Sequence, residues 1–384
     1  MQPAIPDPCL TERRWDRLAS MRAFWIPRWL AAAGVFASIC LAGDLSPVRA
    51  YLQHSVDQRQ VAGAVVVLQQ HGKRVCEESV GFADLQTGRP ISVDGIFMLA
   101  SSSKPWAASA IMTMVDEGKL SLDDKVSKYF PEFQGSSTIR QLMCHTSGIF
   151  GNAAAGAITK PIRNFELNLK DAVPLILKTP LEYQPGTKFS YGGASFCVAG
   201  RIVEMLSGME FDEYMKKVLL DPLDATETVY RSRKDLSERV PVMYRKTASG
   251  LEPTKAIMDL PGKRGPRPDG FILVPGGIYS TAHDCINFLQ MHLNGGTFHG
   301  RRVLSEASVF EMRKKQTGSL PNEYGLGWQI MNTGVEHGGA YGTQLFVDTK
   351  HDAVGAILIQ MPLADAKPFL AGLRPILERI VEQQ

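Results

Sequence analysis

The sequence predicts an α+β fold: an antiparallel β-sheet flanked by helices, with an all-helical lobe inserted between its strands. Three observations predict it. Apolar runs of strand length lie near both ends of the 384-residue chain, over 61–81 and 324–360. Between them, apolar residues recur at helical spacing rather than alternately. Strands from the two ends of a chain can then share one sheet and leave the middle as a second lobe. The length is generous for one core and natural for two lobes. We read 51–384 as the folded body, with an α/β lobe over 51–100 and 275–384 and a helical lobe over about 101–274.

Residues 1–50 stand apart. Arg22 and Arg28 precede an apolar stretch from Trp29 to Gly43. That stretch is short for a membrane span, which needs about 20 residues, and has the length of a signal-peptide core. Pro47 to Ala50 resembles a weak cleavage site. The segment therefore predicts an exported protein, periplasmic or secreted, with 1–50 either a signal peptide or an N-terminal anchor that associates with the membrane. The formal charge is +3 with no basic run, which gives no reason to expect nucleic acid. Six cysteines, Cys9, Cys40, Cys76, Cys144, Cys197 and Cys285, are widely spaced and form neither a disulfide framework nor a zinc pattern.

The elements follow in order. Val61–Gln69 and Arg74–Gly81 flank His71-Gly72 and predict a β-hairpin. Residues 102–117 carry Trp106, Ala110, Met112 and Val115 at helical spacing, and Gly118 ends that run. A short amphipathic helix is expected after Ser121, and further helices over 139–144, 170–178, 194–206 and 211–219. The stretch 248–270 is polar and aperiodic and reads as a long loop. A helix capped by Ser280-Thr281 ends at Asn294-Gly295-Gly296. Strands are expected over 324–331, 342–348 and 353–360, and an amphipathic helix over 366–382.

Three short signals along this frame carry chemistry. Ser101-Ser102-Ser103-Lys104 opens a helix, so Ser101 and Lys104 share a face with a rise of about 4.5 Å between them. Alone, that pair is as readily an N-capping serine and a surface lysine. As chemistry, it is a nucleophile beside the amine that activates it. Tyr191-Gly192-Gly193 follows a Pro-Gly turn, and a tyrosine held near a lysine can share its proton. Tyr191 is the expected base and leaving-group acid, taking the Ser101 proton directly or through Lys104. His337-Gly338-Gly339-Ala340 precedes the strand TQLFVD. The N–H groups of Ala340 and Ser101 are the expected oxyanion site, and His337 binds a carboxylate or tunes Tyr191. His145, in LMCHTSG, reads as a residue fixing a loop, and Cys144 beside it lacks a second feature to make it a nucleophile. No metal and no cofactor are expected, because neither ligand spacing nor a dinucleotide loop is present.

Together these residues resemble the serine β-lactamase and penicillin-binding-protein superfamily, and within it the class C β-lactamase-like branch that holds family VIII carboxylesterases and DD-peptidases. QLMCHTSGI, YQPGTKFSY, PGGIYSTAHDCINFLQMHLNGG and YGLGW add to the likeness, which spans about 60–384. The resemblance implies a β-lactamase/transpeptidase-like fold. It makes Ser101 the acylated serine, Lys104 its activator and Tyr191 the base, with His337, Gly338 and Gly339 lining the substrate strand. One departure stands out. The branch's Tyr-x-Asn motif ends here in Gly193, so the asparagine that holds a substrate amide carbonyl is missing. An absent hydrogen bond of that kind costs about 1–3 kcal/mol. The expected activity is therefore hydrolysis of a small-molecule ester or amide through an acyl-enzyme, carboxylesterase first. DD-peptidase, amidase or β-lactamase action is the alternative. A non-catalytic ligand-binding protein on the same fold is a further one.

Overall fold

A computed structural model describes residues 46–151, 167–231, 233–255 and 272–383. Seven strands form one antiparallel sheet: β1 (Gly63–Gln70), β2 (Lys73–Asp84), β3 (Arg89–Pro90), β4 (Gln329–Met331), β5 (Gly334–Gly338), β6 (Gln344–Asp348) and β7 (Ala353–Leu358). Their order is β4-β5-β6-β7-β1-β2-β3, so β1 from the start of the body pairs with β7 from its end. His71 and Gly72 take φ of +50° and +70°, the double left-handed turn whose twist suits a two-residue hairpin.

The sheet is covered on both sides, which is why β1 reads as an unbroken apolar run. Val65 and Val67 face one core, shared with Trp106, Ile111 and Phe288. Ala64, Val66 and Leu68 face the other, closed by helix α1 (Ser46–Asp57) and the C-terminal helix, through Val48, Leu52, Phe369 and Leu373. Burying each such side chain contributes about 1.5–3 kcal/mol.

The inserted helices are α2 (Lys104–Asp116), α3 (Ile139–Met143), α4 (Leu169–Leu177) and α5 (Ala194–Ser207); α6 (Ala282–Leu293), α7 (Glu306–Arg313) and α8 (Leu363–Glu382) follow. Every residue of α2 from Lys104 to Met114 is buried. A helix apolar on all sides belongs inside, and Trp106 stacks on Phe288 of α6 with ring centroids 4.0 Å apart.

Several expectations are corrected. The expectation of an exported protein, periplasmic or secreted and anchored to the membrane or released, is corrected on the anchor. Among the described residues no helix is long and apolar enough to cross a membrane. The 20-residue α8 has the length but carries Asp365, Lys367, Arg374, Glu378 and Arg379. The apolar stretch Trp29–Gly43 lies outside the described residues. The boundary placed at residue 50 falls inside α1, whose Val48 is fully buried. The segment directly after Ser121 forms only a short 3-10 turn, Val126–Lys128, and no α-helix. Asp124 there accepts from the Ser121 N–H at 3.0 Å and the Tyr129 hydroxyl at 2.6 Å, side-chain bonds that compete with helix formation. Gly250–Thr254 is a strand paired with Met243–Thr247 rather than part of a loop; the rest of that expected loop, 256–270, is outside the described residues. Finally, His337 and Gly338 precede the strand Gln344–Asp348 as expected, but they also end a strand of their own, β5, that was not expected.

Candidate active site

The serine lies on a 3-10 turn, Ala100–Ser103, that runs directly into α2. Ala100 adopts φ of +47°, a left-handed backbone rare for a residue with a side chain. Ser101 is half-buried, whereas Ser102, Ser103 and Lys104 are buried. Lys104, 2 % exposed, donates from Nζ to Ser101 Oγ at 3.0 Å and to the Pro275 carbonyl at 3.4 Å. Fixed at the mouth of a helix buried on all sides, this pair has little freedom to move.

Tyr191 comes from a distant part of the chain, just before α5, which begins at Ala194. Lys104 Nζ lies over its ring, 4.5 Å from the centroid. The lysine thus touches the face of the ring and not the phenol hydroxyl. A hydroxyl, an amine and a phenol ring from distant parts of the chain therefore share one site.

Strand β5 supplies the third wall. The edge strand β4 pairs with β5 only as far as Glu336, so His337 and Gly338 run past it with one backbone edge unpaired on that side. A Cβ at Gly338 would meet only the Thr343 carbonyl, at 3.8 Å, whereas one at Gly339 would come within 2.2 Å of the Leu99 carbonyl and of Thr343 Oγ1. Gly338 leaves open space and Gly339 permits close packing of the strand on the serine turn. Ala340 is exposed in the turn that follows, and its N–H joins no backbone hydrogen bond among the described residues.

Two residues that motif reading passed over hold this wall to the serine. Ser102 Oγ donates to the His337 carbonyl at 2.9 Å, and Thr343 Oγ1 donates to the Leu99 carbonyl at 2.8 Å. The Ser-x-x-Lys pattern leaves its second position open, so nothing in it singles out Ser102. Thr343 has no local signal at all.

His337 is buried, 1 % exposed. Burial, and secondarily the Lys104 charge, push its imidazole down to about 3, so it is neutral. Its Nδ1 donates to the Gly338 carbonyl at 2.8 Å, which leaves Nε2 to accept the Tyr324 hydroxyl at 2.9 Å. Tyr324, fully buried with its phenol pushed well above the usual range by burial, stays protonated to make that bond. His145, 1 % exposed, packs on Tyr191 with ring centroids 4.5 Å apart. Cys144 is buried with its thiol pushed up by desolvation, the opposite of a reactive cysteine.

Gly193 caps α5, and a Cβ there would lie 3.1 Å from Pro275 Cγ. Pro275 Cγ is the one atom such a Cβ would press on, and the Pro275 carbonyl is one of the two oxygens that Lys104 touches.

A family model described as Beta-lactamase matches residues 48–367. The chain belongs to the beta-lactamase family. Its fold and kinship are those of a serine hydrolase of the beta-lactamase and esterase superfamily, related to family VIII esterases and D-Ala-D-Ala carboxypeptidases. Protein Rv1367c of Mycobacterium tuberculosis is 30% identical over 292 residues, 70% of this chain and 72% of that protein. Esterase EstB of Burkholderia gladioli is 27% identical over 351 residues, 78% of this chain and 86% of its own. Among solved structures, EstCE1, described as a hydrolase with promiscuous acyltransferase activity, superimposes with a TM-score of 0.74 at 22% identity, covering 85% of this chain and 96% of that one. This beta-lactamase-family architecture accounts for the sheet and the inserted helices.

Proposed function

We propose that this chain is a carboxylesterase that hydrolyses small esters through an acyl-enzyme on Ser101. One observation carries the reading: Lys104 Nζ lies 3.0 Å from Ser101 Oγ and over the Tyr191 ring. Ser101 Oγ attacks the ester carbonyl while its proton passes to the Lys104–Tyr191 pair. The oxyanion that forms is held by the N–H groups of Ser101 and Ala340. The tetrahedral adduct collapses, the alcohol leaves with a proton from Tyr191, and an ester to Ser101 remains. Water, deprotonated by the same pair, then attacks that ester; the adduct collapses, the pair returns the proton to Ser101 Oγ, and the acid is released. Catalytic hydrogen bonds commonly tighten only when substrate arrives, and the reading requires the Tyr191 hydroxyl to meet the lysine and the serine in that complex.

Gly193 and Pro275 favour esters over amides. Position 193 has no side chain to hold an amide carbonyl, and the Pro275 ring crowds the place where one would stand. An ester makes less demand there, since alkoxide is the better leaving group. The name of Esterase EstB, a relative over most of both chains, agrees with this reading.

The test is turnover of a short-chain p-nitrophenyl ester by the wild-type chain and by S101A, with parallel assays on a chromogenic cephalosporin and a D-Ala-D-Ala peptide. Ester hydrolysis by the wild type alone, with the amide substrates slower, is expected. Equal turnover by S101A would overturn the acyl-enzyme. Faster turnover of either amide substrate would overturn the ester assignment.

A further inference from the structure

We propose that His145 is the positioning residue for Tyr191: it sets the phenol's direction by holding the residues on both sides of it. This rests on the reading of Tyr191 as the proton carrier. The His145 carbonyl accepts the Ser190 N–H at 2.9 Å. Its ring Nδ1 accepts the Gly192 N–H at 3.4 Å. The ring itself lies against Tyr191, with centroids 4.5 Å apart and planes at 50°. Three contacts from one residue thus bracket 190, 191 and 192. No other described side chain bonds the backbone on either side of Tyr191.

The position is a poor one for a residue chosen only to fill space. His145 adopts φ of +63°, where glycine or asparagine is more at ease. Because Nδ1 accepts, Nε2 carries the proton, and Nε2 is buried with no partner. Phe189, Phe196 and Tyr324 surround the ring at centroid distances of 5.7, 5.6 and 5.0 Å, so an apolar side chain would suit the box without a stranded donor. Burial first, then the charge of Lys104, keeps the imidazole neutral and its Nδ1 lone pair free. Of the residues that fit here, histidine combines a flat face for Tyr191 with an acceptor at the reach of Gly192. A backbone outlier and an unpaired donor at one residue mark a function for it.

The test is steady-state hydrolysis of the p-nitrophenyl ester by H145G, H145N, Y191F and the H145G/Y191F double variant. Glycine keeps the left-handed backbone and the carbonyl to Ser190 and removes only the ring. H145G is expected to lower kcat by about 10- to 100-fold, with KM changed by less than about threefold, because a misdirected catalytic group slows the chemistry and not binding. H145N is expected to recover most of the loss, since asparagine accepts this backbone and places Oδ1 where Nδ1 stood. In the Y191F background, H145G is expected to cost almost nothing more, because it acts through the tyrosine. A loss as large in Y191F as in wild type would overturn the inference and leave the esterase reading intact. A loss confined to KM would overturn it too. Wild-type turnover by Y191F would overturn the tyrosine's role, and this inference with it. If H145G melts below the assay temperature, H145S, too short to reach Gly192, takes its place in the same cycle.

Discussion

Single atoms decide whether the cleft holds its shape. A methyl group on Gly339 would lie 2.2 Å from two oxygens, the Leu99 carbonyl and Thr343 Oγ1, neither on a flexible side chain. G339A is therefore expected to push β5 away from the serine turn and to destabilise the fold by about 1–3 kcal/mol. Thermal melting of G339A beside the neighbouring G338A checks this, since a Cβ at Gly338 meets only an oxygen at 3.8 Å and should leave the midpoint nearly unchanged. At position 193 the neighbour is softer, a proline ring carbon at 3.1 Å. G193N is expected to fold with a slightly displaced Pro275 and, through that carbonyl, a loosened Lys104. Ester turnover falls in this variant, and gain of amide turnover would show that the missing asparagine is all that bars amides.

The serine turn and strand β5 work as a bolted pair. Ser102 and Thr343 join them with two buried hydrogen bonds, each worth about 0.5–1.5 kcal/mol. S102A is expected to retain the fold and lower kcat, because the Ser101 N–H and the Ala340 N–H then lose their fixed separation. Activity equal to wild type in S102A, with melting unchanged, would mean that the strand is held elsewhere. Elements with a strong local period were legible in the sequence: the hairpin with its His71-Gly72 turn, α2, α5, α6 with its Thr281 cap, and α8. Ser101, Lys104 and Tyr191 were legible because their spacing or flanking glycines mark them. Strand β5 was not. Gly334, Glu336, His337 and Gly338 show no alternation, and the strand exists because β6 pairs with it and Arg374 neutralises Glu336. For the same reason Ser102 and Thr343 were invisible: each matters only through a partner more than 200 residues away.

For the molecule as a whole, the buried imidazoles couple stability to acidity. His145, His292 and His337 are all neutral and buried, and each is held below the ordinary histidine range first by desolvation. In the unfolded chain they titrate near 6.5. Between that value and the folded one, about 3 for His337, the unfolded state binds more protons, so stability falls as pH falls. Each histidine adds a slope of up to about 1.4 kcal/mol per pH unit in that window and none above it. Denaturant melts from pH 7 down to 4 are expected to show this steep loss, and H292N is expected to reduce the slope by the share of one of the three histidines. A profile level from 7 to 4 would mean that these imidazoles are solvated.

The Ser102–His337 bond spans 235 residues, and β1 finds its second neighbour only in β7. Such distant closures come late in folding. A growing polypeptide therefore makes Ser101 early but has no wall to set against it until the segment carrying β5 emerges. If Ser101 acts as proposed, a fragment ending before residue 337 should be chemically silent.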